Sequence, residues 1–206
     1  MTDSSPSDGR AAAVFVPSSP MLLPEYVGLD DPIADIRRDV VRAIADSLAG
    51  VDSVVILADH RAPAVGGWTG EPLGVRVGRH LLDLAGWEGP VHADTSHYWT
   101  AGTLYVVVGD GSARRSEKAP GHLDERSLAL DAIIVAALES ADTATLLGLD
   151  PSLCDELMVA GAPALRQAAH GLCDRPDLTG ELLWEGDPWG VQYWIARWTT
   201  PCPAAG

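Results

Sequence analysis

The chain has 206 residues, 47% hydrophobic and 21% charged, a balance that suits one folded domain of ordinary size and excludes a polar, disordered chain. Fourteen Lys and Arg against 29 Asp and Glu leave a formal charge of −15, which repels a phosphate backbone and excludes nucleic acid as an expected partner. The acidic excess reads as a solvated surface, with steering of a cationic ligand as the alternative.

The first residues, Met1 to Gly9, are rich in Ser, Asp and Pro and lack a basic stretch followed by an apolar run, so residues 1–10 are expected to be a disordered tail rather than a signal. No stretch reaches the roughly 18 apolar residues that a bilayer needs, so no membrane partner is expected. Cys154, Cys173 and Cys202 are widely spaced and form no CxxC, which fits reduced thiols and a cytoplasmic location. Residues 11–198 are expected to form one α/β domain, and 199–206 a second tail.

In chain order, Ala11 to Val16 is an apolar run that reads as a buried strand. It is stopped by Pro17, Pro20 and Pro24, which cannot donate to a ladder or sit inside a helix. Ile33 to Ala49 carries Ile36, Val40, Val41, Ile44 and Leu48 at helical spacing and closes at Gly50. Val54 to Ala58 is short and β-branched, as a buried parallel strand is. Leu73 to Ala85 has Val77, Leu81 and Leu84 on one helical face and Gly86 beyond its end.

Leu104 to Val108 reads as a third buried strand, running into the turn Gly109-Asp110-Gly111-Ser112. Asp124 to Leu138 is helical again, and Pro151 to Met158 and Pro163 to Leu172 are expected as shorter helices opened by proline in the first turn. Glu181 to Trp184 and Val191 to Trp198 read as a hairpin. The order predicts an α/β fold: a mostly parallel central sheet with helices on both faces and a C-terminal antiparallel hairpin. The four tryptophans of this ending, Trp184, Trp189, Trp194 and Trp198, read as packing residues, with a stacking platform as the other reading.

Ligands of such sheets gather at the carboxyl ends of the strands, which directs attention to Pro17–Pro24, Asp59–Arg61 and Gly109–Lys118. Asp59 and His60 offer a carboxylate and an imidazole usable by a divalent metal, with a hydrogen-bonded structural or surface histidine as the alternative. His80, His92, His97, His122 and His170 show no metal-binding spacing. Gly109 to Lys118 combines two glycines, two hydroxyls and three cations. These suit an anion held by backbone N–H groups and by Arg114, Arg115 and Lys118, or a tight turn whose arginines pair with Glu117, Asp124 and Glu125. It is not a Walker loop, and no GxSxG elbow is present.

Three segments, VPSSPMLLPE (Val16 to Glu25), GDGSARRSEKAPGHLDER (Gly109 to Arg126) and DPWGVQYWIARW (Asp187 to Trp198), resemble actinobacterial proteins of the class III extradiol ring-cleavage dioxygenase superfamily, those akin to its B-type subunits. The resemblance implies an α/β fold with a non-haem ferrous site of two histidines and one glutamate, and a further histidine as acid/base. It places Ser18 where a histidine ligand is typical, and His60 at the second histidine. It places Ser112 to Ser116 where the acid/base histidine stands. Ala164, Leu165 and Arg166 provide no carboxylate near the expected glutamate, and Glu156 is the nearest one.

A degenerate metal site with His60 as its one matching ligand is therefore expected, with no resident cofactor. Ser18, Asp59, Asp110, Ser112, Arg114, Arg115 and Lys118 are expected to bind a small polar or anionic molecule. The alternatives are an active Fe(II) ring-cleaving dioxygenase acting on a catechol, using Fe(II) or another divalent metal, and a protein-interaction scaffold. Self-association into a homo-oligomer stays open.

Overall fold

The computed structural model describes residues 9–28, 31–60, 70–93, 99–175 and 177–201. Strand β1 (Gly9–Val16) leads through two short 3₁₀ turns (Pro20–Leu22 and Pro24–Tyr26) to helix α1 (Ala34–Ala45) and strand β2 (Ser53–Ala58). Helix α2 (Leu73–Leu84), the two-residue β3 (Val91–His92) and β4 (Thr103–Val108) follow. Helices α3 (Arg126–Ser140), α4 (Thr143–Leu147), α5 (Pro151–Glu156) and α6 (Ala162–Leu172) precede the closing strands β5 (Thr179–Gly186) and β6 (Tyr193–Pro201).

The six strands form one sheet in the order β3-β2-β4-β1-β6-β5. β3, β2, β4 and β1 are parallel, and β6 joins β1 and β5 antiparallel, so the expected fold class is the one observed. Three strands lie side by side at the centre because their apolar runs can be covered on both faces: β1, β2 and β4 are buried almost throughout. Gly9 pairs with Pro201 across β1 and β6, so the strands run past the expected limits of 11 and 198. Residues 1–8 and 202–206 lie outside the described residues.

Each face of the sheet has its own core. Val14, Val16, Ile56, Val106 and Val108 pack against α1 and α2 through Val40, Ile44, Val77 and Leu81. Phe15, Leu57, Val107, Trp194 and Trp198 pack against α3 to α6 through Leu130, Ile134, Leu146, Leu165 and Leu172. Each buried Leu, Ile, Val or Phe side chain contributes about 1.5–3 kcal/mol through removal of apolar surface from water. Trp194 and Trp198 are buried in this second core, where Trp198 meets Phe15 edge-on at 4.7 Å and donates its Nε1–H to the Leu138 carbonyl at 2.7 Å. Trp189 stays 38% exposed.

Two bulges break strict alternation. Between Leu182 and Trp184 the register against β6 shifts by one residue, so Leu182 turns to one core and Trp184 to the other, where a regular strand would put both on one face. A second shift between Ala11 and Ala13 does the same for Ala11 and the pair Ala12 and Ala13. No helix of the described residues is long and apolar enough to cross a membrane.

Candidate functional site

The register aligns Ala58 of β2 with Val108 of β4, and Val108 with Val16 of β1. Asp59 and His60, Gly109 and Asp110, and Pro17 and Ser18 therefore leave the sheet at one level on three neighbouring strands. The chain leaving β1 enters α1 on one face, whereas the chain leaving β4 enters α3 on the other. In open α/β sheets, ligands bind beside the carboxyl ends of adjacent parallel strands whose connections part in this way.

Ser18 and Asp110 meet between these two strand ends. The Ser18 N–H donates to Asp110 Oδ1 at 2.7 Å and the Ser18 hydroxyl to Oδ2 at 2.8 Å. Burial raises the Asp110 carboxyl to about 6, against the lowering effect of the two Ser18 bonds; a carboxyl in this range exchanges its proton near neutral pH. Beside it stands Tyr193, the first residue of β6, only 6% exposed. Its hydroxyl is pushed up to about 12 by burial and by the Asp110 charge, while a hydrogen bond with the Ser19 side chain works the other way. Trp189 covers Tyr193 edge-on at 6.2 Å.

The position of Asp110 is set by a close backbone contact. A Cβ on Gly109 would lie 2.4 Å from the Gly161 Cα, and the Gly161 N–H donates to the Asp110 carbonyl at 2.7 Å. Only two glycines allow the turn after β4 to press against the start of α6 in this way.

Many donors of the Gly109–Lys118 segment are used within the protein. Four of its amides bond inward: Gly109 N–H to Val16 O, Gly111 to Gln192 O, Ala113 to Leu157 O and Arg115 to Gly190 O. Ser112 donates its N–H to Asp131 Oδ1 at 2.9 Å and its hydroxyl to Oδ2 at 2.5 Å. Arg115 reaches Asp131 at 3.1 Å and Asp187 at 2.7 Å, and Arg114 bonds the Glu156 carbonyl at 3.0 Å. These donors have acceptors in β1, in α3, in the hairpin turn and ahead of α6. Of the carboxylates expected to pair with these arginines, Asp124 is bonded to Arg126 at 2.8 Å and also feels the charge of Arg114. Lys118 is exposed.

The structure therefore brings together Ser18 and Asp110 at the carboxyl ends of β1 and β4, with Asp59 and His60 leaving the neighbouring strand at the same level. Asp59 is half-buried and His60 exposed. It sets Ser112, Arg114 and Arg115 to work as internal ties. Arg61 and His97 lie outside the described residues. Three residues of the site escaped sequence reading. Tyr193 and Ser19 carried no signal beyond strand alternation and proline context. Asp131 was visible as a single carboxylate within the apolar helix LALDAIIVAAL, where a buried charge requires partners.

The donors for an iron of the implied kind are a poor fit. Among the described residues no three His, Cys, Asp or Glu side chains group closely enough to hold a metal ion. The Ser18 hydroxyl is committed to Asp110, and Glu156 pairs with Arg126 at 2.9 Å. Compared with protein-family models and with curated proteins, the chain matches none of them.

Proposed function

We propose that this chain is a divergent relative of the class III extradiol dioxygenases in which the crevice between β1 and β4 binds a small polar molecule without iron. The observation that carries the reading is the Ser18–Asp110 pair, joined by two hydrogen bonds of 2.7 and 2.8 Å, where an iron-bound imidazole is the family's expectation. A carboxyl at the heart of the crevice selects a ligand that donates hydrogen bonds, such as a hydroxyl or amine, and disfavours an anion. The anionic ligand expected from Arg114 and Arg115 is the weaker form of this reading, because Arg115 is held by Asp131 and Asp187 and Arg114 donates to the Glu156 carbonyl, leaving its Nε unpaired among the described residues.

The test is a thermal-shift screen with hydroxylated and amino metabolites beside phosphorylated and carboxylated ones. A ligand at about one hundred times its Kd stabilises the folded state by about 2.7 kcal/mol. The expected hits are hydrogen-bond donors whose shift disappears in Asp110→Asn and Ser18→Ala. Hits confined to anions, or insensitive to both variants, refute the assignment of the site. Anaerobic loading with Fe(II) followed by oxygen uptake on a catechol panel tests the oxygenase alternative. Iron retained one per chain with turnover overturns the proposal.

A further inference from the structure

Helix α3 is apolar on more sides than its packing uses. Ser127, Leu130, Asp131, Ile134, Ala137 and Leu138 face the core. The opposite face is a line of Glu125, Ala129, Ala132, Ala136 and Glu139, all exposed and spaced by three and four residues, so that they lie along one stripe. Leu128, 48% exposed, borders this stripe on one side, and Ile133, 50% exposed, on the other. A helix with this pattern leaves an apolar face unpartnered. Along the Leu128 side runs a groove of about 290 Å³ whose lining beyond the helix is Arg115, Glu185 and Gln192.

The charges decide what fits. Acidic groups mark the face at both ends, Glu125 and Glu139, and at the groove wall, Glu185. The nearby cations are already paired, Arg115 with Asp131 and Asp187, and Arg126 with Asp124 and Glu156. A second copy of the chain laid parallel on this face sets like charges against each other at both ends, and one laid antiparallel sets Glu125 of one against Glu139 of the other, twice. An anionic membrane surface is repelled in the same way. The three alanines let another helix approach closely, and the carboxylates favour cations around it. We infer that the α3 face is a docking surface for a basic amphipathic helix of another protein, with its apolar side on Ala129, Ala132 and Ala136 between Leu128 and Ile133, and its Lys or Arg residues toward Glu125, Glu139 and Glu185. The 15 residues of α3 offer a bed of about 22 Å, or roughly four turns of a partner.

The probe is a fluorescent peptide of the same length as α3, made of Leu, Ala and Lys with leucines on one helical face, titrated by anisotropy against the full chain. Its control is a peptide of the same composition in shuffled order. The patterned peptide is expected to bind at least tenfold tighter than the shuffled one. The double variant Leu128→Ser/Ile133→Ser removes that preference, and Glu125→Gln/Glu139→Gln weakens binding of the patterned peptide. Leu84→Ser, an equally exposed site on α2, changes nothing. Circular dichroism melts establish that each variant is folded. The inference is overturned if both peptides bind alike, which marks simple charge attraction, or if the α3 double variant binds as the parent does. It is also overturned if light scattering finds a particle of twice the 21.7 kDa chain mass that the double variant dissociates, since a second copy then owns the face.

Discussion

Asp131→Ala tests the idea that the segment after β4 is held by inward hydrogen bonds. The wild-type carboxylate is 1% exposed and accepts three bonds, two from the fully buried Ser112 and one from Arg115. Truncation leaves the N–H and hydroxyl of the buried Ser112 without their acceptors, at about 1–3 kcal/mol each. The third donor loses less, because Arg115 keeps Asp187 at 2.7 Å and part of its side chain in water. The expected loss is about 4 kcal/mol, a large share of the roughly 5–15 kcal/mol typical of a domain, equivalent to roughly 8–16 °C in Tm for a chain of this size. Equilibrium urea unfolding followed by tryptophan fluorescence measures it, with an unchanged m-value showing that the folded state stays compact. Asp131→Asn, which keeps one acceptor and the volume, loses about half as much. A loss under about 1 kcal/mol for Asp131→Ala refutes the reasoning and means that the segment is held by its backbone bonds alone.

Asp110 has a pH signature. Its folded-state pKa is raised from 3.8 to about 6, so the native state binds more protons than the unfolded chain between those values, and this group's contribution to stability is present below about pH 4 and lost as pH rises through about 6. Asp110→Asn removes that dependence, so the variant gains on the wild type between about pH 4 and pH 7 in paired urea titrations; a difference that is flat or moves the other way contradicts the burial of the carboxyl. Gly109→Ala forces a Cβ to within 2.4 Å of the Gly161 backbone, where no side chain can swing aside. It is expected to lower stability by about 1–3 kcal/mol and to separate Asp110 from Ser18, read as a shift of the Asp110 carboxyl titration in NMR. A Gly109→Ala variant with wild-type Tm and titration shows that the contact is looser than described.

The buried strands and main helices were legible because burial imposes a local pattern. A strand covered on both faces reads as a β-branched run, as Val54 to Ala58 does, and a helix packed on one side repeats its apolar residues every three or four positions, as Val40, Ile44 and Val77, Leu81 do. The elements that were missed are those too short to show a period: β3 has two residues and α4 five. The bulges at Ala12 and Leu183 were hidden for a related reason, since a register shift is defined by the partner strand and leaves no mark in the strand that carries it.

The site divides along the same line. The chain alone determined which loops leave the carboxyl edge of the sheet, because apolar runs and the placement of proline and glycine are local properties, and it marked Ser18, Asp110 and His60 as residues of that edge. Only the tertiary structure decided which donors meet which acceptors. Ser112 finds Asp131 nineteen residues away, Ser18 finds Asp110 across ninety-two, and Arg115 finds Asp187 across seventy-two. A hydrogen bond needs its partner within about 3 Å, and which groups come that close depends on how the β1–β4 pair, α3 and the closing hairpin pack together.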